Sequence, residues 1–226
     1  MEEFQIDNGV LTTYLGEQDR VIVPDEVAKI GFEVFAGNDA LVAVELPEGV
    51  THIAARAFAG CTKLESVSLP STVISIGKGA FDGCTSLRAV AIPDKVNAVW
   101  AETFRGCTAL HDVVLGKSVI SLGNNAFEGC TSLEAIEMPF PTDTIGADCF
   151  KGCSSLTSCV MSPNLGVVCR GAFADCTALE TIAFGDRINF IGEYVFDGCT
   201  SLVNLQVPEF VEKDAVLLGL GWKVSV

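Results

Sequence analysis

Basic side chains are scarce in this 226-residue chain: 14 Lys and Arg stand against 29 Asp and Glu, a formal net charge of −15. Phosphate backbones and anionic lipid are bound by clustered cations, and the sequence has no such cluster, which argues against nucleic acid as a partner. Long apolar runs are missing too. None approaches the eighteen or so residues that a membrane-spanning helix needs, although 49% of the residues are hydrophobic, enough for a sizeable interior. The opening MEEFQIDNGVLTTYLG carries two acids where a secretory leader has a positive segment, and no unbroken apolar stretch follows. On these residues alone the expected location is the cytoplasm. An export segment further upstream would place the protein at the cell surface or outside it instead.

Motifs for chemistry are equally sparse. Only two histidines occur, His52 and His111. His111 precedes Asp112, but neighbouring strand residues point to opposite sides unless a bulge intervenes, so the pair does not read as a catalytic dyad. GKGAFDG at 77–83 imitates a nucleotide-binding loop without a βαβ unit around it. Nucleophile elbows, zinc-protease helices, Walker loops, calcium loops and N-x-S/T acceptors do not occur. The expectation is a chain that is not an enzyme and has neither cofactor nor metal.

What the chain does have is a ruler. Phe35, Phe58, Phe81, Phe104, Phe127, Phe150, Phe173 and Phe196 follow one another at intervals of 23 residues, without an insertion. Six residues after each Phe stands a Leu, as in Leu41, Leu64 and Leu87, followed by alternating apolar positions that predict a short strand with one face inward. Fifteen and eighteen after the Phe come further apolar residues, such as Val73 and Ile76, for the returning side of the coil. One 23-residue unit cannot cover its own apolar face, so consecutive coils must stack. The predicted fold is a right-handed solenoid of about eight repeats, with a parallel β-sheet on one face and turns or short 3₁₀ segments elsewhere. At about 4.8 Å per strand, eight coils extend over roughly 40 Å.

Stacked coils need covered ends. Asn8-Gly9 between apolar segments predicts a hairpin that pairs Phe4 and Ile6 with the residues from Val10 to Leu15. We therefore divide the chain into a capping hairpin over 1–20, the solenoid over 21–211, and a C-terminal cap over 212–226, where Gly219 stands in place of a ninth Phe.

The phrase IGKGAFDGCTSLRAVAIPDKV, residues 76–96, and its near copies over about 21–211 resemble the BspA-type leucine-rich repeat family. That resemblance implies a leucine-rich-repeat solenoid. It further implies a role in adhesion or in binding host proteins, commonly on the surface of bacteria or secreted, without catalysis.

Seven of the ten cysteines, Cys61, Cys84, Cys107, Cys130, Cys153, Cys176 and Cys199, occupy one column three after the Phe, and Asn38 fills it in the first coil. Parallel side chains on adjacent coils keep their Cβ atoms about 4.8 Å apart, whereas a disulfide wants about 3.8 Å. A straight column also offers no point in space four sulfurs for zinc. The remaining reading is structural: a small apolar side chain that fits the bend after Gly and gives its S–H to a neighbouring carbonyl. Cys149, Cys159 and Cys169 replace Ala, Val and Gly of their columns; a redox pair or ligand cluster is the alternative, but Cys149 and Cys159 read as inert core filling, and none of the three is expected to be reactive.

A binding surface is then the functional candidate. The columns seven, eight and ten after each Phe should face solvent on the sheet, and they hold Glu45, Glu65, Asp112, Glu134, Glu137 and Glu180 with Arg88, while His111 lies between Arg88 and Glu134. Such a strip suits a basic peptide or protein. A second candidate is PFPTDTIG at 139–146, where Phe140 and Pro141 decorate the turn; with Phe190 and Trp100 it could form an exposed apolar patch. The expected function is a protein-interaction module, monomeric by default. A structural spacer or self-associating scaffold, and an enzyme with an unrecognised site, are the alternatives.

Overall fold

The side chains of all eight column phenylalanines, Phe35 to Phe196, are at most 1% exposed. In the computed structural model, which describes residues 3–207 and Gly219, their rings form one file, with successive centroids 5.0 to 6.0 Å apart and planes within 17°. Ring spacing follows strand spacing, because each coil advances by one hydrogen-bonded step of about 4.8 Å. Fully burying one such ring contributes about 1.5–3 kcal/mol, and the file repeats that gain in every coil.

Nineteen strands, β1 to β19 in chain order, lie among the described residues, and no helix does. Three-residue strands form one parallel ladder: β3 (Arg20–Ile22), β5 (Ala43–Glu45), β7 (Ser66–Ser68), β9 (Ala89–Ala91), β11 (Asp112–Val114), β13 (Ala135–Glu137), β15 (Ser158–Val160), β17 (Thr181–Ala183) and β19 (Asn204–Gln206). Its register repeats at 23 residues, as in Arg20↔Ala43↔Ser66. Regular pairing lapses between β7 and β9 and between β11 and β13, where the strands stay adjacent.

The returning side of the coil is also a sheet. Two-residue strands β4 (Lys29–Ile30), β6 (His52–Ile53), β8 (Ser75–Ile76), β10 (Ala98–Val99), β12 (Ser121–Leu122), β14 (Thr144–Ile145), β16 (Val167–Val168) and β18 (Phe190–Ile191) make a second, narrower parallel ladder, interrupted between β8 and β10. The sequence reading placed turns or 3₁₀ segments here. Two residues per coil are too few to display an alternation, so nothing in the pattern announces the strand.

The third side of the coil carries the Phe. Its backbone bonds forward to the next coil, Phe35 N–H to Ala57 O and Phe58 N–H to Ala80 O, both at 2.8 Å. The chain bends sharply on either side of the ring. Two residues after it, Gly37, Gly60, Gly83, Gly106, Gly129, Gly152 and Gly198 have φ of 69–75°, and Asp175 takes their place at 59°. Two residues before it the backbone is left-handed as well, with Glu33, Arg56, Glu102, Asn125, Asp148 and Tyr194 at 52–60°. A left-handed non-glycine residue is costly. Here bonds to the next coil hold it, as Arg56 N–H does to Lys78 O at 3.0 Å and Glu102 N–H to Asn124 O at 2.9 Å.

At the N-terminus β1 (Phe4–Asp7) and β2 (Val10–Tyr14) form an antiparallel hairpin, turning through Asn8 and Gly9 at φ 48° and 75°. These two positive angles are what a two-residue primed turn requires. β2 then pairs in parallel with β4. The ring of Phe4 lies 5.3 Å from Tyr14, which lies 5.1 Å from Phe35, so the hairpin lengthens the aromatic file by two rings. The C-terminal cap expected over 212–226 lies, apart from Gly219, outside the described residues.

Candidate interaction surface

The cysteine column shows first what kind of site this coil does not build. Each of its seven thiols is buried and donates to the carbonyl of the preceding coil's Phe at 3.0–3.2 Å, from Cys61 Sγ–H to Phe35 O through Cys199 Sγ–H to Phe173 O. That carbonyl already accepts the N–H of its own coil's cysteine, as Cys61 N–H does at Phe58 O at 3.2 Å, so the thiol fills its second lone pair. The first coil departs for a physical reason: no Phe carbonyl precedes it. Asn38 instead accepts the N–H groups of Ala40 and Leu41 at 3.0 and 3.1 Å. Burial pushes the thiols up, Cys61 to about 11 and Cys107 and Cys153 to about 12. None of the ten cysteines is in a disulfide; Cys149 and Cys159 are buried, while Cys169 is half-buried with its thiol also raised by burial. High thiol pKa values mean little thiolate, and these groups serve packing rather than reaction.

The wide ladder places the predicted residues outward. Glu45, Glu65, Arg88, His111, Asp112, Glu134, Glu137 and Glu180 are all exposed. Arg88 Nη2 reaches Glu65 Oε1 at 3.3 Å on the same face. His111 and Asp112 both face solvent although they are adjacent, because the strand starts with a kink: both N–H groups point at Arg88 O, at 3.0 and 3.3 Å. The acids form a row along the face rather than one cluster, with Glu45 and the residue before β17, Glu180, about six strand spacings or roughly 29 Å apart. Arg20 of β3 shares this face; no Phe precedes it, so the column rule starting at Phe35 passed over it. The narrow ladder is different in charge, with outward residues such as Ser75, Ala98, Ser121, Thr144 and Val167.

Phe140 stands at a corner, 70% exposed. Its carbonyl is held by Ser162 Oγ–H at 2.7 Å and Asn164 Nδ2–H at 3.0 Å, and Thr142, which replaces the usual Val, is buried with its hydroxyl donating to Val119 O at 2.8 Å. These bonds pin the turn and leave the ring outside. It borders two depressions. One, of about 540 Å³, lies toward the wide face and includes Val114, Leu115, Lys117, Glu137 and Pro139. The other, of about 700 Å³, lies toward the narrow ladder and includes Ile120, Asp143, Asn164, Arg187 and Asn189. The first joins the acidic row to the aromatic anchor through Glu137. Phe190 and Trp100 are exposed as well, but β18 lies four strand spacings from β10, roughly 19 Å, so Phe190, Trp100 and Phe140 do not form one patch. Among the described residues no group of three or more His, Cys, Asp or Glu could hold a metal ion, and no helix is long and apolar enough to cross a membrane.

Two parallel ladders, a buried leucine at the same place in eight successive coils and a core stacked coil on coil, with no helix among the described residues, define a leucine-rich-repeat solenoid of about nine turns. The chain belongs to the BspA type leucine rich repeat family, whose model matches residues 13–134 and 121–213 in six copies. Among solved structures it is similar to a leucine-rich repeat protein of T. pallidum, at 27% identity and TM-score 0.60 over 93% of this chain and 87% of that one. It is also similar in fold to a leucine-rich repeat protein from Eubacterium ventriosum, at 20% identity and TM-score 0.67, covering 90% of this chain and 64% of that one. No curated protein sequence matches the chain.

Proposed function

We propose that the chain is a non-catalytic protein-interaction module that binds a basic peptide or protein along its wide ladder, with Phe140 as an apolar anchor beside the row of acids. Repeat scaffolds of this family often serve protein interaction or adhesion. The observation that carries the reading is the junction at Glu137: an outward column of carboxylates runs into a depression walled by Val114, Leu115 and an exposed Phe140. Hot spots combine such a ring with a pocket, while charges along the rim steer the partner and set its orientation. A stacked coil supplies a stiff platform, so little ordering is lost on binding.

The test uses deca-lysine as probe, titrated calorimetrically. Neutralising Glu45, Glu65, Asp112, Glu134, Glu137 and Glu180 to Gln should weaken binding at least about tenfold, and a control that neutralises Glu48, Asp94, Asp143, Asp186, Glu193 and Asp197 should weaken it far less. Equal losses from both sets would show general charge attraction and remove the assignment to this face. For the anchor, a probe with one central Phe should lose affinity in Phe140→Ala.

A further inference from the structure

The hairpin closes only half of the first coil. β2 pairs with β4 and so extends the narrow ladder, whereas β3, the first strand of the wide ladder, contacts no strand other than β5. In later coils the backbone at this position bonds to the coil before it, as Val42 and Ala43 N–H do to Asp19 O at 2.6 and 3.0 Å, and Glu65 N–H does to Val42 O at 2.8 Å. No coil precedes β3. Parallel pairing alternates the bonding direction along the strand: Asp19 O and Val23 N–H face β5, the latter bonded to Glu45 O at 3.0 Å, so the N–H and C=O groups of Arg20 and Ile22 face away from it. They have no partner among the described residues. Beside them Ile22 is 72% exposed, and a depression of about 480 Å³ runs from β3 over Ala43, Ser66 and Ser68.

We infer that this edge, Arg20–Ile22, takes an added β-strand from a partner, an extended segment carrying basic residues. An open edge offers main-chain hydrogen bonds to any strand, and the flanking side chains then select among them. The chain on either side of the edge is acidic and exposed: Glu17 and Asp19 precede β3, Asp25 and Glu26 follow β3, and Glu45 sits opposite Ile22 on the neighbouring strand. Against these acids stands Arg20. A second copy of a chain of net charge −15 is repelled by such surroundings, and a Lys-bearing strand is attracted. The inference rests on the reading of the chain as an interaction module and adds where, and through which atoms, a partner strand attaches.

The probe is the heptapeptide Lys-Val-Lys-Val-Lys-Val-Lys, followed by calorimetry and by amide hydrogen exchange on the full chain. Binding should slow exchange of the Arg20 and Ile22 amides. Ile22→Pro removes one outward donor at a site where proline is tolerated in an edge strand, and should weaken binding at least about tenfold while leaving the thermal midpoint unchanged. With the wild-type protein, the same peptide N-methylated at alternate residues should also lose binding, which tests the main-chain bonds without altering the fold. Binding unaffected by both Ile22→Pro and N-methylation overturns the inference, as does no binding at millimolar peptide. If affinity depends on the six carboxylates of the wide face but not on Ile22→Pro, the proposed function stands and the edge does not. If it depends on Ile22→Pro but not on those carboxylates, the edge stands and the face assignment fails. A concentration-dependent oligomer abolished by Ile22→Pro would identify a second copy as the occupant and overturn the basic partner.

Discussion

Cys61, Cys107 and Cys153 make the chain's response to alkali predictable. Their ordinary thiol value is about 9, and burial raises them to about 11, 12 and 12 in the fold. A raised folded-state value means that the native state holds its proton more tightly than the unfolded chain does. The stabilisation is therefore fully present below pH 9 and is lost as pH climbs from 9 toward 11–12, at roughly 1.4 kcal/mol per thiol per pH unit. Urea midpoints measured between pH 8 and 10.5 should fall steeply above 9; a flat profile would mean the thiols are not shielded. Cys169 is the exception in burial, so a disulfide reagent at pH 8 should label it first in the native protein, though more slowly than a free thiol, and leave the buried nine protected. Asp175 sits in the left-handed position that glycine fills in seven other coils. The backbone penalty there is about 1–2 kcal/mol, and the entropy cost of glycine is about 0.5–1, so Asp175→Gly should raise stability by about 0.5 kcal/mol in urea unfolding.

At the scale of the repeated element, the phenylalanine file is the feature most sensitive to truncation. Phe127 has a ring on each side at 5.4 Å and no exposure, so Phe127→Ala should cost about 3–5 kcal/mol. Phe140→Ala, on an exposed ring, should shift the urea midpoint by less than about 0.5 kcal/mol equivalent. Comparable losses from the two would contradict the assignment of one ring to the core and the other to the surface. The element was legible from sequence where its residues share an identity: the Phe, Leu, Gly and Cys columns all did. It was illegible where only a backbone angle is shared. Glu33, Arg56, Glu102, Asn125, Asp148 and Tyr194 differ in charge, size and shape, yet all sit at positive φ because the bend before the ring demands it. The narrow ladder escaped for a similar reason, since two residues carry no periodicity.

For the whole molecule, net charge and shape act together. Acids outnumber bases by 29 to 14, and the ion pairs that exist are partly solvated: Arg105 meets Asp82 at 2.6 Å, Arg56 meets Glu33 at 2.6 Å, Lys117 meets Asp94 at 3.2 Å. Such pairs contribute little each, so self-repulsion among the unpaired acids is the larger electrostatic effect. Thermal midpoints should rise as sodium chloride is raised from about 10 mM to about 300 mM, where the screening length falls well below the length of the solenoid. A fall over that range would show that the ion pairs dominate instead. The candidate surface followed the same division as the fold. Its acids were readable because they recur at fixed offsets from the Phe. The pocket beside Phe140 and the open edge at β3 were not, because each depends on which segments lie next to each other in space.

The order of residues by itself determined the repeat length, the stacked parallel coils, the inward aromatic file and the structural use of the thiols, since each follows from identical side chains returning every 23 positions. Tertiary structure alone decided that the return side would also become a sheet, that Glu137 would meet Phe140 across one depression, and that the hairpin would cover one ladder and leave the other open. Hydrogen bonds between coils and the docking of a cap are settled by three-dimensional neighbours. A column rule describes one coil at a time, and the end of a stack is the place where the neighbour it presumes is missing.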